Sequence, residues 1–438
     1  MSYSIKEILK LQVAPALGCT EPTAVALCAA AAASILSHKE FNSIEVSVDP
    51  NIYKNGMAVS IPGAKGGSGI NLAATIGAIG GDPQLKLEVL EPVGDDVLKK
   101  ARSFIKEKTV KINLLEDKKT IYIKVVLKND REEAEVIIEK LHDSITTMKL
   151  NGKKITDNPL LVIVEKDKNH IEKMEEWLSG LSMEDLVLLV DNLDDADLKF
   201  IQEGVDSNMK LADYGLAHGP GLGIGLTFER LVKEGLLKKD MVLAARILTS
   251  AASDARMSGV KLPAMSSAGS GNHGLTAILP IWAVKDYIVC DDETQALKAI
   301  ALSHIITAYI KAFTGRLSAV CGCSVAAGAG AAGGVTYLMG GTISHISSAV
   351  KNLISDLAGV ICDGAKDSCS LKLSTAAGTA IQSALFSLHG INVKATDGIV
   401  ALSSEQTMQN IGKLSTQGMI ETDRTILQIM VNKQFDPV

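Results

Sequence analysis

Residues 317–350 form a stretch without any Asp, Glu, Lys or Arg, rich in glycine and alanine. A stretch of this length could cross a membrane. However, seven glycines fall between Gly322 and Gly341, and each glycine costs a helix about 1 kcal/mol relative to alanine. Ser, Cys and His345 also interrupt the apolar run. We therefore expect buried helices of a globular, helix-rich domain and no membrane span.

Cysteines accompany this uncharged stretch and the loop that follows it, namely Cys321, Cys323, Cys362 and Cys369. Thiolates bind iron and zinc strongly, and a metal explains such cysteines better than disulfides do in a chain without a visible signal peptide. If three thiols hold an iron–sulfur cubane, one iron keeps an open position, as a Lewis-acid catalyst requires. Only one of Cys321 and Cys323 is expected to be a ligand. A four-thiolate zinc site is the alternative.

Composition limits the classes of partner. The 438 residues are 47% apolar and 21% charged, with a net charge of −6, which suits a soluble cytoplasmic protein of two or three cores. No basic surplus exists to meet phosphates, so nucleic acid is not an expected partner. Abundant Gly and Ala favour close helix packing, and we expect a homo-oligomer.

The hydrophobic pattern predicts an α+β fold with a large all-helical domain and a smaller α+β domain inserted near the N-terminus. Helices in residues 1–41 are expected to pack with the helical domain, 166–438, and residues 42–165 form the α+β domain. Helices are predicted within the latter at 71–79 and 95–106. Strands are predicted there at 44–48, 85–89, 110–112, 121–127, 133–138 and 160–164.

Near the N-terminus, Gly18-Cys19-Thr20-Glu21-Pro22 precedes an alanine-rich helix. Cys19 is thereby placed at a helix N-terminus, where the dipole and free N–H groups can lower the pKa of a thiol well below its usual value. Cys28, inside the helix, and Cys290, at the end of a later one, are expected to be core residues.

In the middle of the chain, residues 266–274 formally contain G-x-G-x-x-G. A dinucleotide fingerprint would need a buried strand before this loop and a second parallel strand after it, and neither is predicted. Hydroxyl, amide and imidazole groups at a helix start, from Ser267, Asn272 and His273, instead suit the binding of a small carboxylate. The glycine-rich loop 61–69 is a second candidate for an anion.

Together, the motif around Cys19, the 267–274 loop and the spacing of Cys323, Cys362 and Cys369 resemble the L-cysteine desulfidases. That group is related to the α-chain of bacterial iron–sulfur L-serine dehydratases. The resemblance implies a [4Fe-4S] cluster held by Cys323, Cys362 and Cys369, with Cys19 as the proton acceptor. It leaves open Cys321 in place of Cys323.

The implied activity is a carbon–sulfur lyase reaction, a non-redox β-elimination that converts L-cysteine to pyruvate, ammonia and hydrogen sulfide in cysteine catabolism without pyridoxal phosphate. Candidate substrate-binding residues are Thr20, Glu21, Ser267, Asn272 and His273. Two alternatives stay open: an L-serine dehydratase that uses the same cluster, and a zinc-stabilised protein that binds small anions through the 66–69 or 267–274 loop.

Overall fold

The computed structural model describes residues 3–118, 120–162, 164–288, 293–315 and 318–433. Its architecture confirms the α+β class, with a sheet near the N-terminus and a large group of helices after it. The helices of the N-terminal part are α1 (Ile5–Gln12), α2 (Thr20–Ser34), α3 (Pro50–Gly56), α4 (Ile70–Gly80) and α5 (Asp95–Glu107).

The main sheet has six strands in the order β3-β2-β4-β5-β6-β7, in which only the β2–β3 pair is parallel. Buried and half-buried residues alternate strictly along β2, so one face of the sheet is apolar and must be covered. Helix α2, of which nearly every residue is buried, packs against this sheet and against α4. The strands are β2 (Ser43–Val48), β3 (Thr109–Leu114), β4 (Tyr122–Lys128), β5 (Glu133–Glu139), β6 (Ile145–Leu150) and β7 (Lys153–Ile155).

Two predicted strands are wrong. The segment 85–89 lies largely in a 3₁₀ turn, Pro83–Glu88, which begins where the Asp82 carboxylate accepts a hydrogen bond from the Gln84 N–H. Proline fixes φ at a helical value, and this local signal outweighs the alternation that follows it. The segment 160–164 contributes one isolated bridge, and a helix already begins at its last residue.

The helical part has its own apolar core, built from the helices that follow the sheet. Its helices are α6 (Val164–Ser179), α7 (Met183–Val190), α8 (Asp195–His218), α9 (Ile224–Lys233), α10 (Met241–Met257), α11 (Gly271–Lys285), α12 (Glu293–Thr314), α13 (Gly328–Leu338), α14 (Ile343–Leu357), α15 (Cys369–Leu388), α16 (Ser404–Lys413) and α17 (Ile420–Asn432). A π-helical turn, Cys323–Ala327, leads directly into α13.

The two N-terminal helices belong to different cores. The side chains of Ile5, Ile8 and Leu9 on α1 lie in the core of the helical part. The expectation that the helices of residues 1–41 pack with the helical domain is wrong for α2, whose side chains lie in the core of the sheet part. Helix α2 is buried on all sides because it lies between the sheet and the helices α3 and α4.

In the part of the chain that the structure describes, helix α12 is long and apolar enough to cross a membrane, and 83% of its most apolar window is buried inside the protein. A helix apolar on all sides also suits the core of a globular domain. The uncharged stretch from the sequence is divided between the π-helical turn, α13 and the start of α14. The protein is therefore a globular fold with a buried central helix.

Candidate active site

Two short antiparallel pairings bring distant motifs together. The first joins β1 (Pro15–Leu17) to β8 (Pro263–Met265), so the residues after β1 lie beside the 266–274 loop. The second is a bridge between Val320 and Ile361, closed by backbone hydrogen bonds of 2.7 and 2.8 Å. This bridge sets the cysteines near 321 against the loop that contains Cys362.

One cavity is lined by the motif around Cys19, by the 266–274 loop and by the segments that contain Cys321 with Cys323 and Cys362 with Cys369. It contains about 830 Å³ of empty space, including its open mouth. The lining residues that carry thiol, basic, acidic, amide or hydroxyl groups are Cys19, Thr20, Glu21, Asn51, Lys54, Asn55, His142, Arg256, Ser270, Asn272, His273, Lys311, Ser318, Cys321, Cys323, Cys362, Cys369 and Lys372.

Four thiols share one wall of this cavity. A hydrogen bond with Cys323 lowers the pKa of Cys321, and the same bond raises the pKa of Cys323 well above its usual value. Burial raises the pKa of Cys369 to about 11, although Lys366 acts in the opposite direction. Burial therefore outweighs the charge of this single lysine at Cys369.

Helix N-termini converge on the same wall. Helix α2 begins after Cys19, α11 after Ser270 and α15 at Cys369. In none of these three helices does the side chain of the N-cap residue accept a hydrogen bond from the first turn. The π-helical turn begins at Cys323. Helix starts carry free N–H groups and the positive end of the dipole. The starts of α2 and α11 therefore add positive potential to the cavity.

Glycines allow the close approaches that this wall needs. Gly364, in the loop between Cys362 and Cys369, has a φ of +95°, and a Cβ there would lie 2.3 Å from the backbone oxygen of Lys54. Only glycine adopts this conformation readily and also leaves the required space. The cysteine loop can thus lie directly against α3.

Cysteine thiolates are the usual ligands of iron–sulfur clusters and also hold structural zinc ions. The four thiols that line this wall therefore fit an iron–sulfur cluster by donor type, and a zinc ion stays the alternative. Among the described residues, no group of three or more His, Cys, Asp or Glu is placed to hold a single metal ion.

Cys19 lies where the sequence predicted, directly before α2, but its thiol has other properties. Its Sγ donates a hydrogen bond to Glu21 Oε2 at 2.9 Å, and Thr20 Oγ1 donates to the same oxygen at 3.0 Å. Burial and the Glu21 charge raise the pKa of Cys19 well above its usual value, while Arg256 lowers it. The expected low pKa is wrong because desolvation of the thiol outweighs the dipole.

Of the three residues predicted to bind substrate in the 266–274 loop, two line the cavity and one does not. Asn272 and His273 line the cavity, whereas Ser267 is fully buried outside its lining. Ser267 supports the site from behind, since its carbonyl oxygen accepts a hydrogen bond from His273 Nδ1 at 3.1 Å and its hydroxyl contacts His304. Burial lowers the pKa of His273 to about 3, so this imidazole is neutral near pH 7.

Arg256, near the end of α10, is the main cavity residue that sequence reasoning missed. It is 3% exposed, and its guanidinium donates hydrogen bonds to Asn272 Oδ1 at 2.8 Å and to the Gly18 carbonyl oxygen at 2.6 Å. Lys311, on the apolar helix α12, is also buried in the lining. Lys311 is the single residue among Asp, Glu, Lys and Arg within 299–314, and this isolated cation is the sequence signal that could have revealed it.

The other cysteines lie apart from the cavity or outside the described part. Cys28 is buried in α2, donates to the Val136 carbonyl oxygen at 3.3 Å, and has a pKa raised by burial, as a core residue should. Cys290 lies outside the described residues. The 61–69 loop contributes no residue to the cavity lining among the residues that the structure describes.

Comparisons with known proteins point to one family. A family model described as serine dehydratase alpha chain matches residues 86–428. A UPF0597 protein of Desulfatibacillum aliphaticivorans is 60% identical over the full length of both chains. A UPF0597 protein of Desulfotalea psychrophila is 56% identical over 98% of this chain and 98% of its own length. A UPF0597 protein of Clostridioides difficile is 44% identical over 97% of this chain and 98% of its own length.

Proposed function

The chain belongs to the serine dehydratase alpha-chain family, and within this family we propose that it is an L-cysteine desulfidase. The family comparison supports a serine-dehydratase-like protein of the lyase type, in a family that depends on an iron–sulfur cluster. The specific reaction that we propose is a β-elimination of L-cysteine with water that yields pyruvate, ammonia and hydrogen sulfide. The resemblance of the cysteine motifs supports this choice of substrate.

Cys323, Cys362 and Cys369 would hold a [4Fe-4S] cluster, with Cys321 as the alternative to Cys323. When bound, such a cluster supplies a Lewis-acidic iron with an open position, which polarises a substrate and makes its Cα hydrogen more acidic. Ligation requires thiolates, so binding of the cluster would release the protons of these thiols.

Cys19 and Glu21 form the proton-accepting pair in this proposal. Transfer of the thiol proton to the carboxylate 2.9 Å away would produce a thiolate next to the cavity, and the thiolate would then take the Cα proton of the substrate. Neutral His273, held by the Ser267 carbonyl, can only accept a hydrogen bond at Nε2. It suits a position next to the substrate ammonium or thiol group.

The observation that carries the proposal is one cavity lined by four grouped thiols and, separately, by the Cys19–Glu21 pair. The test is anaerobic purification followed by iron and acid-labile sulfide analysis and by an assay of sulfide release from L-cysteine. We expect about four irons and four sulfides per chain, as a [4Fe-4S] cluster contains. Full desulfidase activity in a colourless, iron-free protein would refute the proposal.

The family match favours L-serine dehydratase as the second candidate. The same purified protein separates the two functions, since pyruvate formed from L-serine faster than sulfide from L-cysteine would identify a dehydratase. The free cysteines of the described part support a reducing, cytoplasmic location. The homo-oligomer stays a prediction, which light scattering after size-exclusion chromatography can test.

A further inference from the structure

Arg256 is a buried cation without an anionic partner. It is 3% exposed and lines the cavity, and its two hydrogen-bond acceptors are the neutral Asn272 amide and Gly18 carbonyl. Within the described residues it forms no salt bridge. A buried charge is costly unless it is paired. A negatively charged ligand would supply the missing partner.

The guanidinium also keeps donors for such a ligand. Of its five N–H groups, two are used, one at Nη1 and one at Nη2. Nε has no partner and faces Gly271, where a Cβ would lie only 2.4 Å from it. The remaining N–H groups of Nη1 and Nη2 are therefore the donors available to a ligand in the cavity.

Two helix starts strengthen this positive region. Gly271 is the first residue of α11, whose N-cap residue Ser270 makes no side-chain cap and lines the cavity. Through the Gly18 carbonyl, Arg256 also fixes the residue that precedes Cys19 at the start of α2. A guanidinium between two uncapped helix starts forms a site for a carboxylate.

We propose that Arg256 binds the α-carboxylate of the substrate and so places the Cα hydrogen beside Cys19. The identity of the substrate rests on the proposed function, whereas the carboxylate site rests on the geometry around Arg256. Since the guanidinium fork matches a planar carboxylate, this site selects α-amino acids over their amides and over the corresponding amines.

Binding of an unreactive analogue tests the proposal directly. L-alanine carries the carboxylate and ammonium but no leaving group, and L-alaninamide lacks the carboxylate charge. Calorimetric titration of the anaerobically purified holoenzyme should show that L-alanine binds more tightly than L-alaninamide. Arg256→Gln should weaken L-alanine binding roughly 10- to 100-fold, the range for hydrogen bonds to charged groups, and leave L-alaninamide binding unchanged.

The chain offers a matched control on the same helix. Arg246 also lies on α10, its Nε is unpartnered, and a Cβ on Gly378 of α15 would lie 2.0 Å from that atom. Arg246 and Gly378 are not in the cavity lining. Gly271→Ala should displace the Arg256 guanidinium and weaken L-alanine binding, whereas Gly378→Ala should disturb Arg246 and leave the affinity for L-alanine unchanged.

The outcomes separate this inference from the proposed function. Equal L-alanine affinity in the wild type and in folded Arg256→Gln or Gly271→Ala would overturn the role of Arg256, even if sulfide is released from L-cysteine. An equal effect of Gly378→Ala would also overturn it, since a general disturbance of α10 would then explain the result. Loss of L-alanine binding confined to Arg256→Gln and Gly271→Ala would support it, even if neither L-cysteine nor L-serine is consumed.

Discussion

Replacing Glu21 by Gln tests the proton-accepting pair. Glu21 is 7% exposed and Cys19 is 3% exposed, and their Oε2 and Sγ atoms lie 2.9 Å apart. Glutamine has nearly the same shape, and its amide oxygen can still accept the hydrogen bond from the thiol. It cannot take up the proton, so the substitution removes the proton acceptor and preserves the packing.

The size of the effect distinguishes two roles for Glu21. If it accepts the thiol proton, Glu21→Gln should lower kcat by about 10²- to 10⁴-fold, the usual contribution of general base catalysis. If it only orients Cys19, the variant exchanges a charged hydrogen bond for a neutral one. That exchange costs about 1 kcal/mol, which corresponds to less than a tenfold change in rate.

The assay is sulfide release from saturating L-cysteine at pH values from 6 to about 9. Burial is the largest cause of the raised pKa of Cys19 and persists in the variant, so the thiol stays protonated near neutral pH. Rising pH deprotonates it without help from Glu21. The deficit of Glu21→Gln should therefore be largest near pH 7 and should shrink as the pH increases.

Thr23→Val provides the control for the start of α2. Thr23 Oγ1 donates to the Cys19 carbonyl oxygen at 2.8 Å but does not contact the thiol or Glu21 through a hydrogen bond. This variant should retain most of the wild-type kcat and its pH profile. A Glu21→Gln deficit below tenfold that does not change with pH would refute the proton-transfer role.

Three further predictions concern other parts of the site. Cys19→Ser should abolish turnover and retain the iron content and brown absorbance of the wild type; loss of iron would make Cys19 a ligand. Cys323→Ser should lose most of its iron whereas Cys321→Ser retains it, and the reverse result would identify Cys321 as the ligand. The Lys54 side chain is 2% exposed, and its ammonium lies 2.5 Å from the Asp423 carboxylate. Asp423→Asn removes the charge of this partner and should lower the free energy of unfolding in urea by about 3 kcal/mol. A loss below about 1 kcal/mol, typical of exposed pairs, would contradict this prediction.

The sequence predicted helices and strands correctly where the signal, a helix start or an alternation of apolar residues, depends on a few neighbouring residues. The alternation in β2 and the position of Cys19 before α2 were both predictable, because a strand face and a helix start depend on neighbouring residues. The 3₁₀ turn at Pro83–Glu88 was missed. There, one proline and one aspartate overrode an alternation too short to decide the structure.

By itself, the sequence determined the α+β class and indicated which cysteine motifs to examine, since periodicity and thiol spacing are properties of short segments. Only the tertiary structure decided that Arg256 enters the cavity, that Ser267 lies behind it and that burial raises the pKa of the Cys19 thiol. The physical reason is that these properties depend on burial and on pairings such as β1 with β8, which join residues some 250 positions apart. No local pattern encodes the dielectric or the partners that such long-range contacts create.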